Sequence, residues 1–201
     1  MKVLGIYGSP RKEGNSDLLL DRVLEGAQSA GAEITKIYIR DLKISGCQEC
    51  GGCDKTGECV ITDDLEKIYP LLWDTPLVFL SSPIFFYGMP AQAKMLVDRS
   101  QALWSRRMLR KAPAGRKNYD HGQGYLIAVG ATKGKNLFEG VELTAKYFFD
   151  ALDKSYEGGL FFRAVEGKGK ITEHPTALQE AYELGRKAVL GSPLSKNSQE
   201  G

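Results

Sequence analysis

Val3-Leu4-Gly5-Ile6-Tyr7-Gly8-Ser9-Pro10-Arg11-Lys12-Glu13-Gly14-Asn15-Ser16 begins as a strand-like run and continues, after Tyr7, as a loop of small and polar residues. Beyond Ser16, apolar side chains recur at helical spacing as far as Ala30. Four further strand-like runs, each followed by a helical pattern, lie at residues 33–39, 77–80, 125–129 and 160–162. Alternation of this kind predicts an α/β protein whose parallel sheet carries helices on both faces.

Five strand–helix units of ordinary spacing favour one architecture. They predict a doubly wound, flavodoxin-like three-layer sandwich with a five-stranded parallel sheet in the order 2-1-3-4-5, and with a cysteine-rich loop inserted after strand 2. We expect a single domain over residues 1–190 and a flexible tail over residues 191–201. In the helix that begins after Pro90, the spacing places Ala93, Leu96, Val97 and Trp104 on the buried side.

Composition excludes several function classes. Of the 201 residues, 42% are hydrophobic and 26% are charged, a balance that is typical of folded globular proteins. The formal net charge of +2 is too small to indicate nucleic-acid binding. No apolar run approaches the ~20 residues that span a bilayer, and the first residues have the pattern of a strand, not of a signal peptide. We therefore expect a cytoplasmic protein that binds neither nucleic acid nor membranes.

The loop after the first strand, residues 8–16, has the chemistry of an anion site. In a parallel sheet this loop lies at the carboxyl edge, where ligands bind, and it precedes a helix whose N-terminus favours phosphate. It matches neither a Walker A loop nor G-x-G-x-x-G, so the ligand we expect is a monophosphate. A polar turn that only caps the helix is the alternative. The candidate binding residues are Ser9, Arg11, Gly14, Asn15 and Ser16.

The loops after the third and fourth strands fall on the same edge of the predicted sheet. The first contains three consecutive aromatic residues between Pro83 and Gly88, a pattern that suits a flat ligand better than a packed core. The alternative is that Phe85 and Phe86 pack beneath the loop while Tyr87 is exposed. Together, the three loops predict a site for a molecule with a phosphate and a planar ring. The candidate residues around the ring are Pro83, Ile84, Phe85, Phe86, Gly88, Met89, Ala131 and Thr132.

All the cysteines of the chain, Cys47, Cys50, Cys53 and Cys59, lie within 13 residues. So short a loop gains little from disulfides, which stabilise by joining distant segments. Closely spaced thiolates are metal ligands, and three at successive C-x2-C spacings are more typical of a [4Fe–4S] cluster than of zinc. The sequence therefore favours all four as cluster ligands in an iron–sulfur loop, residues 46–60. Zinc ligands, or reactive or idle thiols, are the alternatives.

Several motifs together resemble the NADPH-dependent FMN reductase superfamily. They are Gly8-Ser9-Pro10-Arg11-Lys12, Gly14-Asn15-Ser16, Ser82-Pro83-Ile84-Phe85-Phe86, Gln92-Ala93-Lys94 and Asp98-Arg99, and the match runs from residue 1 to about residue 155. The cysteine run additionally resembles the iron–sulfur flavoprotein subfamily. These resemblances imply one FMN and one [4Fe–4S] cluster per chain, a homodimer or homotetramer, and a redox donor such as a ferredoxin or NAD(P)H.

Motifs and resemblance together predict a redox flavoprotein that passes electrons between a cellular donor and an acceptor. We expect no catalytic side chain, because the flavin supplies the chemistry. Two alternatives are an NAD(P)H-dependent FMN or quinone reductase without a cluster, and a zinc-stabilised binding module.

His121 and His174 match no ligand or nucleophile pattern, and we expect surface or capping roles for them. The basic segment at residues 106–117 is either a solvated connector or an electropositive rim for an anion.

Overall fold

The computed structural model describes residues 1–191 and places five strands of this range in one sheet. The strands are parallel and run in the order β2-β1-β3-β4-β5, which confirms the predicted flavodoxin-like topology. The bounds are β1 Lys2–Tyr7, β2 Glu33–Tyr38, β3 Leu77–Pro83, β4 Gln123–Val129 and β5 Ser155–Phe162. Apart from Gly191, the predicted tail lies outside the described residues.

Within residues 1–191, six α-helices cover the two faces of the sheet. They are α1 Asn15–Ser29, α2 Leu65–Asp74, α3 Ala91–Arg99, α4 Gln101–Arg110, α5 Glu139–Ala151 and α6 Ala177–Leu190, with short 3-10 turns at Ile39–Asp41, Pro113–Gly115 and Lys170–Glu173. Helices α1 and α6 pack on one face, and α2 to α5 pack on the other. Over the same described range, no helix is both long and apolar enough to cross a membrane.

The sheet is buried on both faces because its central strands send apolar side chains alternately into two cores. In β1, Val3 packs under α1 and α6, while Leu4 packs under the helices of the opposite face. In β3, Phe79 packs under α1 and α6, and Val78 packs under the helices of the opposite face. Burial on both sides explains why these strands are continuous apolar runs in the sequence.

Two glycines bring α1 and α6 into direct backbone contact. An added Cβ at Gly26 would lie 1.9 Å from the Tyr182 carbonyl oxygen, and one at Gly185 would lie 1.8 Å from the Val23 carbonyl oxygen. No side chain fits at either position, so the two helices pack closer than larger residues would allow. Helix α1 is thereby fixed against α6. The loop of residues 8–16 leads into α1, so this packing also holds the end of the loop in place.

The helix predicted after Pro90 is broken at Ser100, between α3 and α4. The Ser100 hydroxyl donates to the Leu96 carbonyl oxygen at 3.0 Å, a contact that often bends helices. Beyond the break, Leu103 is the large apolar side chain that faces the core. Trp104 is 41% exposed, so the expectation that it lies on the buried side is wrong.

The basic segment divides between solvent and ion pairs: Arg110, Arg116 and Lys117 are exposed, as a solvated connector predicts, whereas Arg107 is not. Arg107 is buried, and its guanidinium donates to Asp150 Oδ1 and to Asp153 Oδ1, each at 2.8 Å. Asp153 lies two residues before Ser155, the first residue of β5, so these ion pairs lie at the amino edge of the sheet. A buried guanidinium is costly unless it is paired, and the two carboxylates provide that pairing.

Both histidines make contacts that indicate a structural role. His174 Nδ1 accepts a hydrogen bond from the Ala177 N–H at 3.1 Å, which is the capping role expected of it. His121 packs on Trp73 with their ring centroids 4.4 Å apart, and burial lowers the pKa of His121. His121 therefore belongs to the packing at the amino edge of the sheet and not to the candidate site.

Candidate functional site

The phosphate loop, residues 8–16, is held at the carboxyl end of β1 by contacts with the neighbouring strand. The Gly8 N–H donates to the Ser81 carbonyl oxygen at 2.8 Å, and an added Cβ at Gly8 would lie only 2.5 Å from that oxygen. The buried Ser9 hydroxyl bonds to the Arg11 backbone N–H and carbonyl oxygen, both at 3.1 Å. The loop is therefore a defined turn that leaves the Arg11 side chain exposed.

Ser16 supplies the test of whether this loop fits a phosphate. Its hydroxyl is buried at the start of α1 and has no hydrogen-bond partner among the described residues. A buried polar atom without a partner costs free energy, and a phosphate oxygen would provide the partner. The first N–H groups of a helix also lack intrahelical acceptors and favour an anion. The loop therefore fits the phosphate that the sequence predicts.

Asn15 is engaged differently from the sequence expectation. Its side-chain amide donates to the Gly167 carbonyl oxygen at 2.8 Å, and its Oδ1 accepts from the Ile171 N–H at 3.2 Å. The side chain thus binds the segment after β5, and only the backbone N–H of Asn15 is left to face a ligand. We name this segment, residues 163–171, the strap. No sequence motif marks the strap, so it could not be predicted.

Arg40 also lies at the phosphate loop, although no sequence motif marks it. Its side chain is mostly buried, and Nη1 donates to Asp17 Oδ2 at 2.8 Å and to the Ser9 carbonyl oxygen at 3.1 Å. Burial raises the pKa of Asp17, and the Arg40 guanidinium opposes that shift. Arg40 therefore supports the phosphate loop from the side of β2 and places a cation near it.

The loop after β3 ends in a tight turn made by Phe85, Phe86, Tyr87 and Gly88. Phe85 and Gly88 exchange backbone hydrogen bonds of 3.0 and 2.9 Å, and both central residues have positive φ, +49° at Phe86 and +61° at Tyr87. Bulky residues rarely adopt this conformation, and such strain is frequent at functional sites. The three aromatic side chains are exposed, Phe86 completely, so the alternative that Phe85 and Phe86 pack beneath the loop is wrong.

The loops after β3 and β4 are in contact at the carboxyl edge. The Ile84 N–H donates to the Val129 carbonyl oxygen at 2.9 Å, and an added Cβ at Gly134 would lie 2.7 Å from the Tyr87 hydroxyl oxygen. Ala131 and Thr132 are exposed between these contacts. The remaining candidates in the first loop are partly buried: Pro83, Ile84, Gly88 and Met89. The structure thus brings the predicted ring-binding residues to one edge.

The cysteine loop, residues 46–60, lies between β2 and α2 and faces a separate cavity. All four cysteines line this cavity of about 1130 Å³, whose other wall is formed by α3, α4 and α5. Cys47 and Cys50 are exposed, and Cys53 and Cys59 are half-buried. At Gly57, φ is +71° and an added Cβ would lie 2.7 Å from Arg106 Cα, so this glycine lets the loop pack directly on α4.

The donor set of the cysteine loop fits an iron–sulfur cluster. Four free thiols share one cavity. Iron–sulfur clusters are larger than one ion and are held by cysteine thiolates. Helix α3 connects the two sites, since it starts just beyond the aromatic turn and its residues Val97 and Asp98 line the cavity.

Comparison with protein families and curated proteins points to one group. The NADPH-dependent FMN reductase family matches residues 1–137. An iron–sulfur flavoprotein of Archaeoglobus fulgidus is 40% identical over 49% of this chain and 45% of its own length, and one of Methanocaldococcus jannaschii is 37% identical over 66% and 64%. The chain thus spans less than two thirds of these two relatives. An iron–sulfur flavoprotein of Methanosarcina thermophila is 29% identical over 93% of this chain and 98% of its own.

Solved structures share the fold at low sequence identity. A flavone reductase superposes with a TM-score of 0.72 at 18% identity, covering 95% of this chain and 62% of its own. An NAD(P)H:quinone oxidoreductase from Methanothermobacter marburgensis superposes with a TM-score of 0.66 at 14% identity, covering 93% and 95%. The chain belongs to the NADPH-dependent FMN reductase family, and the names of its relatives support an iron–sulfur flavoprotein within that family.

Proposed function

We propose that this protein binds FMN at the carboxyl edge of the sheet and a [4Fe–4S] cluster in the cysteine loop, and that it passes electrons between a cellular donor and an acceptor. FMN and an iron–sulfur cluster are the cofactors that the family and the names of the relatives support. One observation carries the proposal. The four thiols line a single cavity, and the helix beside them, α3, begins at the aromatic turn of the flavin site.

The phosphate of FMN is assigned to the loop before α1. Ser16 offers its unpartnered hydroxyl, Arg11 offers an exposed guanidinium, and Gly14 and Asn15 offer backbone groups. Ser9 shapes the loop through its bonds to Arg11. The flavin ring is assigned to the edge formed by the loops after β3 and β4, where the aromatic turn excludes water from one side.

Cys47, Cys50, Cys53 and Cys59 are assigned as the cluster ligands. When bound, FMN and the cluster supply two-electron and one-electron redox chemistry respectively. We assign no side chain as an acid, a base or a nucleophile. The residues of this chain act by binding the cofactors, orienting them and setting their electrostatic surroundings.

For the electron donor and for the oligomeric state, two alternatives are proposed in each case. The family name supports NADPH as a donor, and the NAD(P)H:quinone oxidoreductase shares the fold, while a ferredoxin is the donor implied by the cysteine motif. We propose a homodimer or homotetramer in the cytoplasm. Rapid bleaching of the flavin absorbance by NADPH would support the nicotinamide donor, and no bleaching would favour the ferredoxin.

The first test is an absorption spectrum of anaerobically purified protein, with analysis of iron, acid-labile sulfide and flavin. We expect about four irons, about four sulfides and about one FMN per chain. Flavin without iron or sulfide would overturn the cluster and favour a cluster-free FMN or quinone reductase. A colourless protein that contains zinc would overturn both cofactors and favour a binding module.

Single variants assign the ligands. Cys53→Ala is expected to lose iron while keeping FMN, because the phosphate loop and the aromatic turn lie outside the cysteine loop. Lys55→Ala is the matched control, since Lys55 is exposed in the same loop and has no ligand chemistry. Full iron content in the Cys53 variant would remove that residue from the ligand set.

A further inference from the structure

Arg99, the last residue of α3, is fully buried between the two ends of the cysteine loop. On the side that precedes the cysteines, its Nη1 donates to the Ser45 carbonyl oxygen at 3.1 Å. On the side that follows them, Nη2 donates to the Ile61 carbonyl oxygen at 3.2 Å. The guanidinium also forms a two-pronged ion pair with Asp63, at 2.8 Å to Oδ2 and 3.3 Å to Oδ1.

Asp63 extends this connection through the backbone. Its Oδ2 accepts from the Ser45 N–H at 3.2 Å, and its Oδ1 accepts from the Leu65 N–H at 3.0 Å. Although burial opposes it, the hydrogen bonds from Arg99, Ser45 and Leu65 hold the pKa of Asp63 below its usual range. The two ends of the loop are thus joined through one buried ion pair.

The end of α3 is itself anchored beside the last cysteine. The Tyr69 hydroxyl donates to the Arg99 carbonyl oxygen at 3.1 Å. Arg99 and Cys59 line the same cavity. Arg99 therefore closes the base of the loop and places a positive charge at the cavity that the four thiols line.

We propose that Arg99 is a positioning residue for the iron–sulfur loop, which closes the base of the loop and pre-arranges its thiols before the cluster is assembled. This inference rests on the proposed function of the cysteines as cluster ligands. A loop with free ends would lose conformational entropy on binding the cluster, and the ion pair removes that cost in advance. Acceptors from Ser45, Ile61 and Asp63 surround the guanidinium, and only the planar fork of arginine donors can reach them together, so lysine cannot replace it.

The test compares Arg99→Lys with Arg107→Lys. Both arginines are buried and ion-paired, so both variants lose stability. The Arg107 guanidinium bonds to Asp150, Asp153 and the backbone at residues 116 and 118, outside the cysteine loop, so only Arg99→Lys alters the loop directly. In the holoprotein, we expect Arg99→Lys to lose iron to a chelator about tenfold faster than the wild type, and Arg107→Lys to lose it at the wild-type rate. FMN affinity is expected to stay within about twofold in the Arg99 variant.

Two further measurements separate positioning from general stability. Amide exchange of residues 46–60 in reduced, iron-free protein should be faster in Arg99→Lys and unchanged in Arg107→Lys. The midpoint potential of the cluster should stay at the wild-type value in both variants, because lysine keeps the positive charge of the arginine that it replaces. Equal iron loss and equal exchange in the two variants would overturn the proposal. Wild-type protein without iron would instead overturn the proposed function, and the exchange experiment would still test the closure of the loop.

Discussion

The Ser105 hydroxyl of α4 donates a hydrogen bond to the Cys53 sulfur across 3.7 Å, and Ser105 is buried. Hydrogen bonds to the sulfurs are among the features that set the reduction potential of an iron–sulfur centre. Reduction adds negative charge to the sulfurs, and a donor stabilises that charge. The contact therefore raises the potential of a cluster held by Cys53.

Ser105→Ala is expected to lower the midpoint potential of the cluster by about 20–60 mV, the one-electron equivalent of a hydrogen bond of about 0.5–1.5 kcal/mol. A redox titration followed by electron paramagnetic resonance measures this shift. Ser100→Ala is the control, because the buried Ser100 hydroxyl donates to a backbone carbonyl and not to sulfur. An equal shift in both variants would show that the hydrogen bond to Cys53 is not the cause.

Arg11→Ala is expected to weaken FMN binding by about tenfold or more, because a hydrogen bond to a charged group contributes about 1.5–3 kcal/mol. Calorimetric titration of the apoprotein with FMN, and in parallel with riboflavin, measures the effect. Riboflavin has no phosphate, so its affinity should be unchanged. A matching loss of riboflavin affinity would place Arg11 elsewhere than at the phosphate. Arg22→Ala, which removes a surface arginine paired with Glu25, controls for net charge.

Phe86→Asn is expected to stabilise the flavin-free protein by about 0.5–1 kcal/mol, because asparagine tolerates the positive φ that strains phenylalanine at this position. The same change should weaken FMN binding, since it removes a fully exposed aromatic surface from the turn. Urea unfolding of the apoprotein and FMN titration measure the two effects. Phe85→Asn is the control, because Phe85 has no positive φ and should gain no stability. A destabilised Phe86→Asn would contradict the strain.

Lys154 predicts a dependence of stability on pH. Burial lowers the pKa of this fully buried amine to about 8, while in the unfolded chain it keeps its usual value of 10.5. Between these two values the unfolded chain binds a proton that the folded protein does not, so the free energy of unfolding rises with pH. The slope is at most about 1.4 kcal/mol per pH unit.

Urea unfolding of reduced apoprotein between pH 7.5 and pH 10 measures this slope. For Lys154→Met, the free energy of unfolding should rise less steeply with pH than in the wild type over the same range, because methionine does not titrate. Thiols and tyrosines contribute equally to both proteins and cancel in the comparison. Identical slopes would show that Lys154 is not the group responsible.

The strand order and the three loops at the carboxyl edge could be predicted because their signals are local. Strand periodicity in Val3–Tyr7, helix periodicity after Ser16 and the small residues between them each need only a few neighbouring positions. Once the order 2-1-3-4-5 is inferred, the edge at which the loops meet follows from the parallel sheet. The cysteine spacing is equally local, which is why the cysteine-rich loop after β2 could be located from the sequence.

Arg40, Arg99 and Arg107 show why the rest could not be predicted. Each is defined by partners that lie far away in the chain, such as Asp17 for Arg40 and Asp153 for Arg107. For Arg99 the sequence does contain one indication of burial, because it follows Leu96 by three positions and so lies on the buried face of α3. A charged side chain on that face implies a buried partner. That signal does not name the partner. The positive φ at Phe86 had no signal, because aromatic residues seldom adopt it.

The hydrogen bonds from Asn15 to Gly167 and Ile171 also bear on when the protein becomes ready for its cofactor. They join the first loop of the chain to the strap, and contacts of such long sequence separation form late in folding. During synthesis the phosphate loop leaves the ribosome before the strap, which follows β5. A chain truncated before the strap therefore lacks the contacts that hold Asn15, and we expect it to bind FMN more weakly.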